Sequence, residues 1–151
     1  MKRTLAATVL AVFLAPTTAM SAFAENWIVK QSASSVAETA DKLAAAAEGA
    51  GATVFARVDH AAGAETVGEE MAPMVMVMFG NPKIGTPVLK AEPRTGLDLP
   101  LRVLVWDDGG VTKLGYLAPE ALKARHAVEG ADGAFETMAG ALDKLTDAAT
   151  R

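Results

Sequence analysis

The chain contains no cysteine. That excludes a disulfide framework, a thiol nucleophile and any cysteine-ligated metal centre. Histidine is nearly absent too, with 2 residues, so imidazole chemistry has only His60 and His126 to run through. Aromatic residues make up 5% of the chain, which leaves the core to aliphatic side chains and alanine. The 14 bases are outnumbered by 18 acids, for a formal charge of −4. The basic footprint of a nucleic-acid binder is missing, as is a Lys/Arg-rich stretch that would hold an anionic membrane surface. The sequence also lacks a nucleophile elbow, a Gly-rich phosphate loop and an HExxH pair.

The N-terminus is the most informative stretch. Met1-Lys2-Arg3 is a short basic start, and Thr4 to Pro16 is almost wholly apolar and uncharged. Ser21-Ala22-Phe23-Ala24 then ends a small-residue stretch just before Glu25. This is the pattern of a secretory signal peptide, with residues 1–24 expected to be cleaved after Ala24. The apolar run is short of the roughly 20 residues a spanning helix needs. A periplasmic or secreted location is therefore expected, with no membrane attachment after cleavage. Removing two bases and no acid takes the formal charge from −4 to −6. Residues 25–151 are long enough for one domain with its own core.

Within that domain, Trp27–Gln31 reads as a first strand. Ser35-x-x-Glu38 has capping-box spacing, and Val36, Ala40, Leu43 and Ala47 recur at helical period until Gly49 and Gly51. Thr53–Asp59 is a β-branched strand, followed by a loop and short helix through Met71. Pro73–Phe79 is apolar on both faces, as a strand buried on both sides would be. Gly80-Asn81-Pro82 reads as a turn, and Thr86-Pro87 as the start of a short helix ending near Pro93. Asp107-Asp108-Gly109-Gly110 joins two strands in a hairpin. Pro119 opens a helix toward His126, and Asp132 is placed to cap a last helix carrying Phe135, Met138, Leu142 and Leu145 on one face. The expected fold is α+β: two layers, a largely antiparallel five-strand sheet and helices mainly on one face.

Five short motifs follow in order: Val58-Asp59-His60 with Ala64; Phe79-Gly80-Asn81-Pro82 with Gly85-Thr86-Pro87; Leu97-Asp98-Leu99-Pro100 before a strand ending at Trp106; Tyr116; and Arg125-His126. Together they resemble the bacterial and archaeal domain-of-unknown-function family 302, over roughly Ser32 to His126. The resemblance implies a small α+β domain that tends to form homodimers, and it brings no established reaction or cofactor.

The residues able to carry chemistry are few. Asp59 and His60 close a strand and enter a loop, where a carboxylate could orient an imidazole for acid–base work, although neighbouring strand residues point to opposite faces. Arg125 could hold a carboxylate with a two-pronged hydrogen bond, and His126 could face a helix C-terminus. If His60 and His126 converged with Asp59, Asp98 or Glu70, a zinc, iron or copper site would result. Asn81 and Asp98 each have two readings, as loop anchors or as pocket groups. Met74, Met76 and Met78 share one strand face, either as core filler or as soft ligands for copper(I). Glu65, Glu69 and Glu70 form a solvated face. The expected role is an exported homodimeric module taking a small ligand or metal near Asp59, His60, Asn81, Asp98, Arg125 and His126. The alternative is a periplasmic enzyme using His60 with Asp59.

Overall fold

Ser35 and Glu38 close the reciprocal cap that their spacing predicts. The Ser35 hydroxyl accepts from the Glu38 amide at 3.3 Å, and the Glu38 carboxylate accepts from the Ser35 amide at 3.0 Å. Helix α1 (Val36–Gly49) grows from that cap between β1 (Trp27–Gln31) and β2 (Thr53–Asp59). The computed structural model describes residues 26–151, so the segment read as a signal peptide lies outside the described residues. After β2 come α2 (His60–Glu65), β3 (Met74–Gly80), α3 (Pro82–Ala91), a 3-10 turn (Pro93–Leu97), β4 (Leu101–Asp108), β5 (Val111–Leu117), α4 (Pro119–Arg125) and α5 (Asp132–Thr150).

The strands form one antiparallel sheet in the order β1-β5-β4-β3-β2, which is the expected α+β architecture. Between β4 and β5 the two-residue turn uses Gly109 and Gly110 at φ +65° and +90°, a conformation that side chains with a Cβ adopt poorly. On one sheet face Val75, Val77, Phe79, Val103, Val105, Leu114 and Tyr116 are buried against α1 and α5. Strand alternation puts one set of side chains here and its neighbours on the far side. A second apolar cluster, around Val88, Leu122, Val128, Phe135 and Met138, joins α3 and α4 to α5. Lys30 ties β1 to α5 through Asp143 and Asp147, at 2.7 and 2.6 Å.

Three local expectations are corrected. Helix α3 starts at Pro82, not at Pro87: the Asn81 carbonyl oxygen Oδ1 accepts from the Lys83 amide at 2.9 Å, and Pro87 lies within the helix. Asn followed by Pro suits a turn and a capped helix start equally well, which is why Gly80-Asn81-Pro82 looks like a turn in isolation. Asp132 does not cap α5. The cap position is Ala131 at φ +56°, while Asp132 is the first helical residue and pairs with Lys123. Finally, β3 is buried on one face only. Its valines and Phe79 are covered, whereas Met74, Met76 and Met78 are half-buried on the other face and belong to neither apolar cluster.

Candidate functional site

Three of the residues singled out by sequence meet around one carboxylate. Asp98 follows the 3-10 turn, where its backbone N–H donates a hydrogen bond to the Thr95 carbonyl at 3.0 Å. Its carboxylate accepts from His126 Nε2 at 2.7 Å, from Arg125 Nη1 at 3.1 and 3.2 Å, and from Arg102 Nη2 at 3.1 Å. Arg125 ends α4, His126 follows it, and Arg102 is the second residue of β4, so the cluster pins the end of a helix to the entrance of a strand. Arg102 also bonds the Leu97 carbonyl. Asp98 and His126 are well sheltered, with side chains 15% and 10% exposed, while Arg125 is half exposed. Burial alone would raise the Asp98 pKa, but the His126 hydrogen bond and the charges and donors of Arg125 and Arg102 outweigh it and hold the carboxyl below its ordinary range. This arrangement can orient an imidazole and present guanidinium edges to solvent. Beside it is a cavity of about 270 Å³ walled by Trp27, Met76, Leu104 and Leu117 along with Asp98 and Arg102.

The other predicted residues lie elsewhere. Phe79 pairs with Leu101 at the Asp98 end of the sheet, while Asp59 pairs with Val75 at the opposite end. The separation is four residues along the strand, about 13 Å. Asp59 caps α2 by accepting from the Ala62 amide at 2.9 Å, and Asp59 and His60 are both exposed. The two histidines therefore do not converge, and among the described residues no group of three His, Asp or Glu side chains is placed to hold a metal ion. The metal reading built on His60 and His126 is corrected by this register. Asn81 stands at the Asp98 end, but its amide is spent: Oδ1 caps α3 and Nδ2 donates to the Gly51 carbonyl at 3.1 Å.

Two features escaped the sequence reading. One is that the sheet face away from the helices, which the two-layer expectation already implied, is apolar across several strands. Cross-strand register sets Met74 opposite Trp106, Met76 opposite Leu104 and Met78 opposite Arg102. On the same face Gly115 stands between Trp27 and Trp106, and a Cβ there would come within 3.1 Å of both rings. Trp27 and Val29 are exposed by 41% and 44%. The alternation Arg102-Leu104-Trp106 in β4 carried this signal, because an ordinary solvent face would alternate to polar residues. The other is an apolar cavity of about 260 Å³ between the α3 helix and the end of the sheet, which no linear motif announces.

Comparison with known proteins places the chain. The sequence model of the family described as "Domain of unknown function DUF302" matches residues 28–145, so the likeness continues well into α5, beyond His126. A fluoride-specific ion channel, FluC 1, of Brucella suis biovar 1 is 42% identical over 102 residues, which is 67% of this chain and 40% of that protein. FluC 2 of Brucella melitensis biotype 1 is 42% identical over the same length, 38% of its own chain. The chain thus spans about two fifths of the curated relatives it matches. The crystal structure of an uncharacterized conserved DUF302 protein from Bacillus stearothermophilus superposes with a TM-score of 0.75 at 20% identity, covering 83% of this chain and 98% of that one. At that identity the likeness concerns the fold.

Proposed function

This chain belongs to the DUF302 family, and from that premise we propose that it is an exported interaction module that pairs with a second copy of itself through the uncovered face of its sheet. The observation that carries the reading is the composition of that face. Trp27, Trp106, Met74, Met76, Met78, Leu104 and Leu117 lie on it, and its charges, Arg102, Lys113 and Asp108, are closed into ion pairs. Tryptophan, methionine and arginine with few free charges is the signature of an interface centre, and methionine adapts well to a facing surface. A second copy brings no unpaired like charge against it, despite an acidic chain.

Size supports the same reading. Strands about 4.8 Å apart and five to eight residues long, at about 3.3 Å each, make a face of roughly 500 Å² before side-chain relief. Stable pairs bury about 600–1,000 Å² per partner. The channel activity named for the Brucella proteins belongs, in this reading, to the part of those chains outside the match. A conducting path needs spanning helices or a closed barrel. Here the described sheet is open-edged, and no described helix is long and apolar enough to cross a membrane. The matched part is then an accessory module.

Sedimentation velocity over micromolar concentrations tests the proposal. The protein without residues 1–24 should sediment as a dimer, and Leu104→Lys should sediment as a monomer with unchanged far-ultraviolet circular dichroism. A monomer at every concentration, or a dimer indifferent to Leu104→Lys and Trp106→Lys, would remove the reading.

A further inference from the structure

The second cavity lies on the helix side of the sheet, away from the uncovered face, and does not depend on self-association. We propose that it is a binding site for a compact, uncharged, apolar molecule the size of two fused rings.

The chemistry of the walls comes first. Phe79 and Leu145 come from the cluster under α1, Ile84 and Met138 from the cluster under α3, and Leu101 touches both. The cavity is the gap where the two apolar clusters fail to close on each other. No charged side chain lines it, and the amide of Asn81 at its edge is already bonded at both ends. Water entering such a space finds few partners, so it stays dry or takes an apolar guest. A carboxylate or phosphate would find no cation, which excludes anionic ligands.

The mouth carries a second, independent observation. The register of β2 against β3 slips between Val54 and Ala56, and the extra residue is Phe55. A bulge of this kind takes a side chain out of strand alternation and re-aims it. Phe55 lies at the cavity edge, its Cε2 3.8 Å from where a Gly80 Cβ would be, and it is 56% exposed. Leu89 on α3 is 38% exposed on the same rim. Both side chains leave water when a guest enters. The volume of about 260 Å³ sets the size of the guest. A cavity of about 150 Å³ holds benzene, so this one suits a bicyclic aromatic or a branched hydrocarbon of similar bulk.

Gly85 supplies a clean test. It lines the cavity within α3, and a Cβ built on it meets nothing within 4 Å. Because a Cβ there meets no neighbour, Gly85→Leu should take up part of this space, and it replaces a poor helix former with a good one. Titration of the protein lacking residues 1–24 with indole and with naphthalene, followed by ¹H–¹⁵N NMR, should shift the amides of Gly80 and Ile84. Indole-3-acetate should bind at least tenfold more weakly than indole. In Gly85→Leu the indole affinity should fall at least tenfold while the melting temperature rises, and in Leu104→Lys it should be unchanged. No shift with indole at millimolar concentration and none with naphthalene at saturation overturns the site. Undiminished binding to Gly85→Leu overturns its location, and equal or tighter binding of the acetate overturns the ligand class.

Discussion

The Nε2 atom of His126 lies 2.7 Å from Oδ2 of Asp98, although 28 residues separate them. With Arg125 and Arg102 on the same carboxylate, Asp98 is the anchor through which α4 holds the loop before β4. Because its carboxyl is held below its ordinary value of 3.8, the unfolded chain protonates there before the folded one does. The stability it contributes is therefore complete above about pH 4 and is lost as the pH falls through the lower folded value. Urea unfolding across pH should show this acid limb. Asp98→Asn should cost about 2 kcal/mol at neutral pH, as expected for lost hydrogen bonds to charged groups, and should flatten the limb. An unchanged limb in Asp98→Asn would show that the acid loss arises elsewhere.

Local pairs were legible and long returns were not. Ser35 and Glu38 declare their cap because both ends of the interaction lie within one turn. Asp98, Arg125 and His126 appeared in the same candidate group as Asp59 and His60, and strand register alone separates them by the length of the sheet. The alternation of methionine with valine in β3 correctly put three sulfurs on one face. It could not say whether a second layer covers that face, since Met74 to Met78 are apolar either way. The cavity behind Phe55 has no sequence mark because a one-residue bulge leaves the composition of β2 unchanged.

The two helix caps should respond differently to the same substitution. Ser35→Ala removes a reciprocal cap from α1, whose Val36, Ala40, Leu43 and Ala47 are buried in the core. It should lower global stability by about 1 kcal/mol in chemical denaturation. Asp59→Ala removes a similar bond from α2, a six-residue helix with no buried residue. Its effect should be confined to faster amide exchange at Ala62 and its neighbours, with global stability nearly unchanged because that end can open alone. If Asp59→Ala instead lowered the global unfolding free energy as much as Ser35→Ala does, α2 would have to be part of the cooperative core.

Gly115 is a steric hinge point between the two tryptophans. In Gly115→Ala the new methyl group would sit 3.1 Å from Trp27 Cε2 and from Trp106 Cη2 and Cζ3. The rings must give way by a few tenths of an ångström. Trp27 is at an exposed edge and can move, so the stability cost should be modest, about 1 kcal/mol, near the low end for overpacking. Near-ultraviolet circular dichroism should change clearly, since it reports ring environment. If the sheet face is where two copies meet, the same variant should also weaken self-association. A spectrum identical to wild type would mean that the rings do not pack over Gly115 in solution.

Processing at the N-terminus can be argued from what cleavage would leave. A cut after Ala24 leaves Glu25 and Asn26 ahead of β1, which begins at Trp27. The Asn26 carbonyl accepts from the Ala118 amide at 2.8 Å, closing the β1–β5 edge where α4 departs. The expected cut therefore spares every described contact of the sheet, and the mature domain should fold without the leader. Expression of the full chain in a bacterium with an inner and an outer membrane should yield a periplasmic protein whose intact mass begins at Glu25. Ala22→Lys with Ala24→Lys removes the small residues that the processing enzyme reads, and should leave an unprocessed precursor in the membrane fraction. Full-length wild-type protein in the cytoplasm would sink the export reading. Self-association and the apolar cavity would be untouched by that result, because both are built wholly from residues after the cut.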